Sequence, residues 1–174
     1  MGRKTTRREF IGNVGKAVAL GATISYGSFG VLPRVGVGQT LQKRPLGKTG
    51  FHATILALGG TILPRGSEAS AIAMVKKCLE LGINYFDTAS QYGAGESERR
   101  LGKGLLGENQ EGLWIATKTL QRTYQGSKEE IRASLKRLNL KKPLDCIQLH
   151  SINDLDTLNQ VMGKEGSLRA AEEA

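Results

Sequence analysis

The chain is expected to fold as an α/β protein built on parallel strands. Three observations carry this. From Lys43 onward, short apolar runs alternate with stretches of helical periodicity. The connections between them are short. The helical stretches carry start and stop signals of their own. Such β-α-β-α-β-α-β alternation implies parallel strands joined by right-handed crossovers. A flavodoxin-like open sheet and a (β/α)8 TIM barrel both begin this way. The dinucleotide-binding Rossmann sheet is disfavoured, because no G-x-G-x-x-G joins a strand to a helix.

Taken in order, "RPLGKTGFHATILALGGT" opens with the turn Gly47-Lys48-Thr49-Gly50, which suggests a small hairpin. It runs into an apolar first strand, Ile55–Leu58, ending at Gly59-Gly60-Thr61. Residues 67–82 read as a helix with an apolar stripe of Ile72, Val75, Cys78 and Leu79, an N-cap at Ser67 and a stop at Gly82. Residues 83–89, "INYFDTA", are the second strand. A second helix over 96–106 places Glu96 and Glu98 before Arg99, Arg100 and Lys103, the order a helix dipole favours. "GLWIATKT" (112–119) is the third strand. A third helix over 127–140 starts with Ser127 and Glu130 in an S-x-x-E capping box, and Ile131, Leu135 and Leu138 line one face. "LDCIQLH" (144–150) is the fourth strand, and 154–162 and 166–174 are helix-like.

The net charge of +9 would suggest nucleic-acid binding if it were spread over the fold. It is not. Residues 1–44 hold eight basic residues against Glu9 alone, whereas the remaining residues hold 17 basic and 15 acidic ones. The body shows neither a dense basic face nor an aromatic-basic platform, so no nucleic-acid partner is expected. Cys78 and Cys146 both fall at apolar positions and read as small core hydrophobes. No Cys/His spacing suggests a metal.

Residues 1–38 read as a leader separate from the fold over 39–174. "TTRREFIG" (5–12) resembles a twin-arginine (Tat) export signal in Thr6, Arg7, Arg8, Phe10 and Ile11. An uncharged stretch of 17 residues, Ala17–Pro33, follows, interrupted by Gly21, Gly27 and Gly30. The expected partner is the twin-arginine export machinery, and the expected location is exported or periplasmic. A retained membrane tether through the leader is the second choice, because the stretch is short for a spanning helix. Gly36-Val37-Gly38 is the candidate cleavage region.

Four polar residues fall at or just past strand ends: Asp87 and Tyr92 after strand two, Lys118 at the end of strand three and His150 at the end of strand four. In a parallel sheet these ends share one side, where barrels build their active sites. Taken singly, each residue has a bland explanation as a turn, packing or solvated side chain. Together they suggest proton transfer. A free phenol titrates near 10, too high for efficient acid catalysis, and a neighbouring ammonium such as Lys118 favours its ionisation. Asp87 would hold that ammonium, and His150 would donate a hydrogen bond to the oxygen that Tyr92 protonates.

The sequence resembles the N-terminal half of an aldo-keto reductase. The similarity lies in "RPLGKTG", "LALGGT", "GINYFDTASQYGAGESERRLGKGL", "IATK" and "SLKRLNLKKPLDCIQLH", in that order. The resemblance implies a (β/α)8 barrel, of which about the first four βα units are present, and reduction of a small aldehyde or ketone by NADPH. NADH stays open. It also implies that Asp87, Tyr92, Lys118 and His150 form a catalytic tetrad with Tyr92 as general acid. Gly60 and Thr61 would lie near the nicotinamide, and Asp87 would reach the cofactor ribose as well.

About 250 residues are typical of such a barrel, so the chain reads as truncated, and activity is expected of a full-length parent. The chain alone is expected to bind NADPH poorly, because most of the family's phosphate and adenine contacts lie in the second half. Two other functions are weighed. A Schiff-base aldolase would use Lys118 as nucleophile, against which Asp87 would keep that lysine charged. A non-catalytic reductase-like subunit or remnant would bind a partner instead.

Overall fold

The computed structural model describes residues 41–174, which lie within one unit spanning Gln39–Ala174. The leader, with its twin-arginine pair and cleavage region, lies outside the described residues.

The hairpin expected around Gly47–Gly50 forms. Strands β1 (Lys43–Pro45) and β2 (His52–Thr54) pair antiparallel, Arg44 opposite Ala53. Its turn is closed by Leu46 N–H, which donates to Phe51 O at 2.8 Å. Asn84 moors the hairpin to the body: its side-chain oxygen accepts from Thr54 N–H and its amide donates to His52 O.

Four strands then form one parallel sheet in the order β3 (Leu58–Gly59), β4 (Tyr85–Asp87), β5 (Trp114–Thr119) and β6 (Cys146–Leu149). This order follows the chain without reversal. A doubly wound sheet such as flavodoxin's reverses direction to place helices on both sides; a barrel is wound one way throughout. The crossovers are α1 (Glu68–Glu80), α2 (Glu96–Leu105) and α3 (Tyr124–Leu138), and α4 (Leu155–Met162) and α5 (Ser167–Glu172) follow β6. Among the described residues, no helix is long and apolar enough to cross a membrane.

Helix α1 begins as expected, with the Ser67 hydroxyl accepting from Ser70 N–H. It ends before Gly82, whose φ of +77° an L side chain would resist. The core lies between these helices and one face of the sheet, around Phe86, Ile115, Val75, Leu101, Leu105 and Leu138, each at most 1 % exposed. Burying side chains of this size contributes about 1.5–3 kcal/mol each.

Two expectations are corrected. The apolar run Ile55–Leu58 is not a strand over its length; only Leu58 and Gly59 pair. Ile55 N–H donates to Gln42 O and the Thr54 hydroxyl donates to Leu56 O, so the run belongs to the hairpin, and Ile55 and Leu56 are more than half exposed. Helix α3 does not start on a Ser127–Glu130 capping box. It starts one turn earlier, with the Thr123 hydroxyl accepting from Gly126 N–H. The segment before α5 stabilises this first turn: Tyr124 N–H donates to Glu165 O, and Ser167 N–H donates to Arg122 O. Ser127 is therefore buried inside the helix, and the Glu130 carboxylate is released for another use.

Candidate active site

The register of β4, β5 and β6 decides which side chains share a face. Asp87 stands opposite Ala116, and Lys118 opposite Gln148. Because side chains alternate along a strand, Tyr85, Asp87, Trp114, Ala116, Lys118, Cys146 and Gln148 look one way. Phe86, Ile115 and Ile147 look the other, toward the helices. Cys146 thus differs from the core position expected of it. It is a half-buried free thiol on the polar face, raised in pKa by burial and then by the Asp87 carboxylate. Cys78 is a buried free thiol in the helix-side core, raised by burial.

Lys118 is the centre of the cluster. Its ammonium donates to Asp87 Oδ1 at 2.5 Å and to Thr88 O at 2.7 Å. The lysine side chain is 10 % exposed and the aspartate 28 %. The Gln148 amide donates to the second carboxylate oxygen of Asp87 at 3.3 Å. A buried ion pair is tolerated when its remaining hydrogen-bonding capacity is met, and Thr88 O and Gln148 each supply one such bond here.

The loop after β4 carries Tyr92 back over this pair. Tyr92 N–H donates to Ala89 O, and Tyr92 O accepts from Ser97 N–H at the start of α2. The ring lies with its centroid 5.1 Å from Lys118 Nζ. It meets the His150 ring edge to face, centroids 5.8 Å apart at 82°. The ammonium therefore addresses the phenol ring rather than bonding its oxygen. Among the described residues, the Tyr92 hydroxyl makes no hydrogen bond, so it is free for another acceptor.

His150 is anchored by its backbone N–H, which donates to Thr119 O at 2.9 Å. Its pKa is lowered, first by burial and then by the Lys118 ammonium, with the Asp87 carboxylate opposing. The imidazole is therefore neutral at neutral pH, and Nδ1 is buried with no partner among the described residues. A neutral imidazole offers one N–H donor. The structure thus brings Asp87, Tyr92, Lys118 and His150 to one end of one face, from the ends of three successive strands.

Gly60 and Thr61 occupy the 3-10 turn Gly60–Ile62 at the end of β3. A Cβ on Gly60 would lie 2.6 Å from Ser97 Oγ and 2.8 Å from Asp87 O, so only glycine allows this close approach. Ser97 Oγ donates to Gly60 O and is hydrogen-bonded to the Thr88 hydroxyl, which locks the turn against the Asp87 strand end. Gly59 and Thr61 stay exposed beside the half-buried Asp87 carboxylate. An open strand end with a carboxylate acceptor suits a hydroxylated sugar, so these residues fit the ribose end of a nicotinamide nucleotide. Among the described residues there is no group of three or more metal-ligating side chains. Two apolar concavities lie elsewhere, between α3 and α5 at Ile131 and Ala170 and beside β6 at Leu144 and Ile147, and neither includes a residue of the cluster.

With this geometry in place, the comparison with known proteins is specific. The family model described as "Aldo/keto reductase family" matches residues 56–167. The chain belongs to the aldo/keto reductase family. It is 30 % identical over 134 residues to L-galactose dehydrogenase of Arabidopsis thaliana, covering 71 % of this chain and 42 % of that protein. It is 37 % identical over 124 residues to a putative voltage-gated potassium channel subunit beta of Schizosaccharomyces pombe, covering 62 % and 36 %. The solved holo form of an aldo-keto reductase from Bacillus halodurans superposes with a TM-score of 0.59 at 31 % identity, over 70 % of this chain and 45 % of that one. The chain thus spans less than half the length of these aldo/keto reductase relatives. Members of the family are oxidoreductases that generally use NAD(P)H, on a TIM barrel to which the one-way parallel sheet of this chain corresponds.

Three residues around the cluster are not marked by the sequence. Thr88 acts through its carbonyl, which any residue would supply. Gln148 announces itself only once the Lys118–Gln148 register is known. Glu130 reads as the partner of Ser127 in a capping box, but Thr123 caps the helix in place of Ser127.

Proposed function

We propose that a protein carrying this chain reduces an aldehyde or ketone to the alcohol with NAD(P)H, NADPH first. The observation supporting this is the convergence of Asp87, Tyr92, Lys118 and His150 at the strand ends beside Gly60 and Thr61. A nicotinamide cofactor, when bound, supplies the hydride. Tyr92, whose hydroxyl is otherwise unengaged, donates the proton to the carbonyl oxygen. The Lys118 ammonium, held by Asp87 and Thr88 O, stabilises the negative charge left on the phenol. The neutral His150 imidazole donates a hydrogen bond that orients the same carbonyl. An aldolase using Lys118 as nucleophile is disfavoured, because its nitrogen is engaged by Asp87 Oδ1 at 2.5 Å and Thr88 O at 2.7 Å rather than open to a carbonyl carbon.

Tyr92→Phe tests this. With NADPH and a panel of aldehydes and ketones, turnover should fall about a hundredfold to ten-thousandfold, the contribution of a positioned general acid. Unchanged turnover would remove Tyr92 from the reaction. The similarity to the channel subunit named above favours a second reading, a reductase-like subunit that acts by binding a partner. Partner capture that survives Tyr92→Phe, in a protein that oxidises no NADPH, would favour it.

For residues 1–38 we propose export through the twin-arginine machinery, supported by Thr6, Arg7, Arg8, Phe10 and Ile11. Replacing Arg7 and Arg8 together by lysine should retain the protein in the cytoplasmic fraction. Export that persists would contradict the proposal.

A further inference from the structure

The Glu130 carboxylate, from the second turn of α3, accepts hydrogen bonds from two different parts of the site's framework. Oε2 accepts from the Thr119 hydroxyl at 2.5 Å, Leu120 N–H at 2.8 Å and Gln121 N–H at 3.3 Å. Oε1 accepts from the Ser90 hydroxyl at 3.0 Å. Thr119 directly follows Lys118, and Ser90 lies two residues before Tyr92. Ser90 and Thr119 are both buried, at 7 % and 1 % exposure. The Ser90 hydroxyl also lies 3.1 Å from Lys118 O, and Ser90 N–H donates to that oxygen at 3.4 Å. One side chain thus spans the strand end that carries the ammonium and the loop that carries the phenol. Burial works against its charge, but its four donors outweigh burial and hold the carboxyl below the usual range. A carboxylate with this many donors is not an ordinary helix-surface residue.

From these contacts we infer that Glu130 is a positioning residue, which clamps the Ser90–Tyr92 loop to the Lys118–Gln121 segment and so sets the Tyr92–Lys118 geometry. It touches neither the reacting atoms nor the cofactor site. It acts through Ser90 on one side and Thr119 on the other. The inference rests on the reductase reading for its kinetic consequence and on the hydrogen bonds alone for its structural one.

The variants that test it are Glu130→Ala, Glu130→Gln, Ser90→Ala and the Glu130→Ala/Ser90→Ala double, in the whole protein. Benzaldehyde and NADPH serve as probes. Glu130→Ala should lower kcat about tenfold to a hundredfold, as sub-ångström misplacement of reacting groups does, with KM for NADPH unchanged. Glu130→Gln should restore most of the loss. Its carbonyl oxygen can take the Oε2 bonds, and its amide can donate to Ser90, which then donates to Lys118 O. Ser90→Ala should lower kcat less, and the double variant should match Glu130→Ala rather than sum the two losses. An unchanged kcat in Glu130→Ala, or losses that add, would overturn the inference. Hydrogen exchange decides it independently of turnover. The Ser90, Leu120 and Gln121 amides should exchange faster in Glu130→Ala while the α1 amides do not, and equal exchange at all of them would overturn it. If the parent protein oxidises no NADPH with any carbonyl compound, the reductase reading fails, and the exchange result still settles the clamp.

Discussion

The two faces of the sheet obey different rules, although they share the same short strands. In β4, Phe86 is fully buried among the helices, while its neighbours Tyr85 and Asp87 look the other way and stay half-buried. On the helix side, shape and volume dominate. On the other side, Asp87, Lys118 and Gln148 form a polar cluster in which charge is balanced by specific donors. A three-residue strand can therefore contribute to the core and to the candidate site at once, and substitutions at adjacent positions should separate stability from chemistry.

The sharpest way to break that division is Phe86→Ala. Removing a fully buried aromatic side chain should cost about 3–5 kcal/mol, read as a lower denaturation midpoint. A midpoint within error of the parent would mean the helix face is not the core. Next comes Gln148→Leu on the opposite face. It removes one long hydrogen bond to a half-exposed carboxylate, so unfolding free energy should change by no more than about 1 kcal/mol. Turnover should fall severalfold as Asp87 loses its second anchor. Loss of folding in this variant would erase the distinction between the faces.

The smallest expected effect is on pH dependence. His150 binds its proton less readily in the folded state than in the unfolded chain, where the value is near 6.5. Its contribution to stability is therefore fully present above about pH 6.5 and is lost as pH falls through the folded-state value. The denaturation midpoint should drop between about pH 7.5 and pH 5, and His150→Gln should flatten part of that slope. An identical slope in the variant would mean that other groups account for it.

The helix periods and the ends of α1 are legible in the sequence because they are local: Ser67, Gly82 and the stripe through Val75 act within a few residues of themselves. The four polar strand-end residues were legible because parallel topology brings their ends together wherever they lie in the chain. What was not legible depends on partners distant in sequence. Ile55 and Leu56 read as strand, yet Gln42 and Thr54 hold them in the hairpin. The S-x-x-E pattern at Ser127 and Glu130 is a sound local signal that loses to contacts made by Glu165 and Arg122 with the neighbouring segments. Glu98 sits where an acid faces the helix dipole, yet it is fully buried, accepting from Arg137 Nε and the Thr117 hydroxyl, both at 2.5 Å. Nothing near Glu98 in sequence marks that pairing.

The sequential strand order also bears on how the fold is reached. Leu58 pairs with Phe86, Phe86 with Ile115 and Ala116 with Cys146, intervals of 28, 29 and 30 residues. The entropy of closing a loop grows only logarithmically with its length, so the three closures carry nearly equal penalties. Each new strand meets an edge made by the strand just before it, and none waits for a distant partner. During synthesis, the sheet can grow by one strand and its covering helix at a time, in the order in which the ribosome releases them.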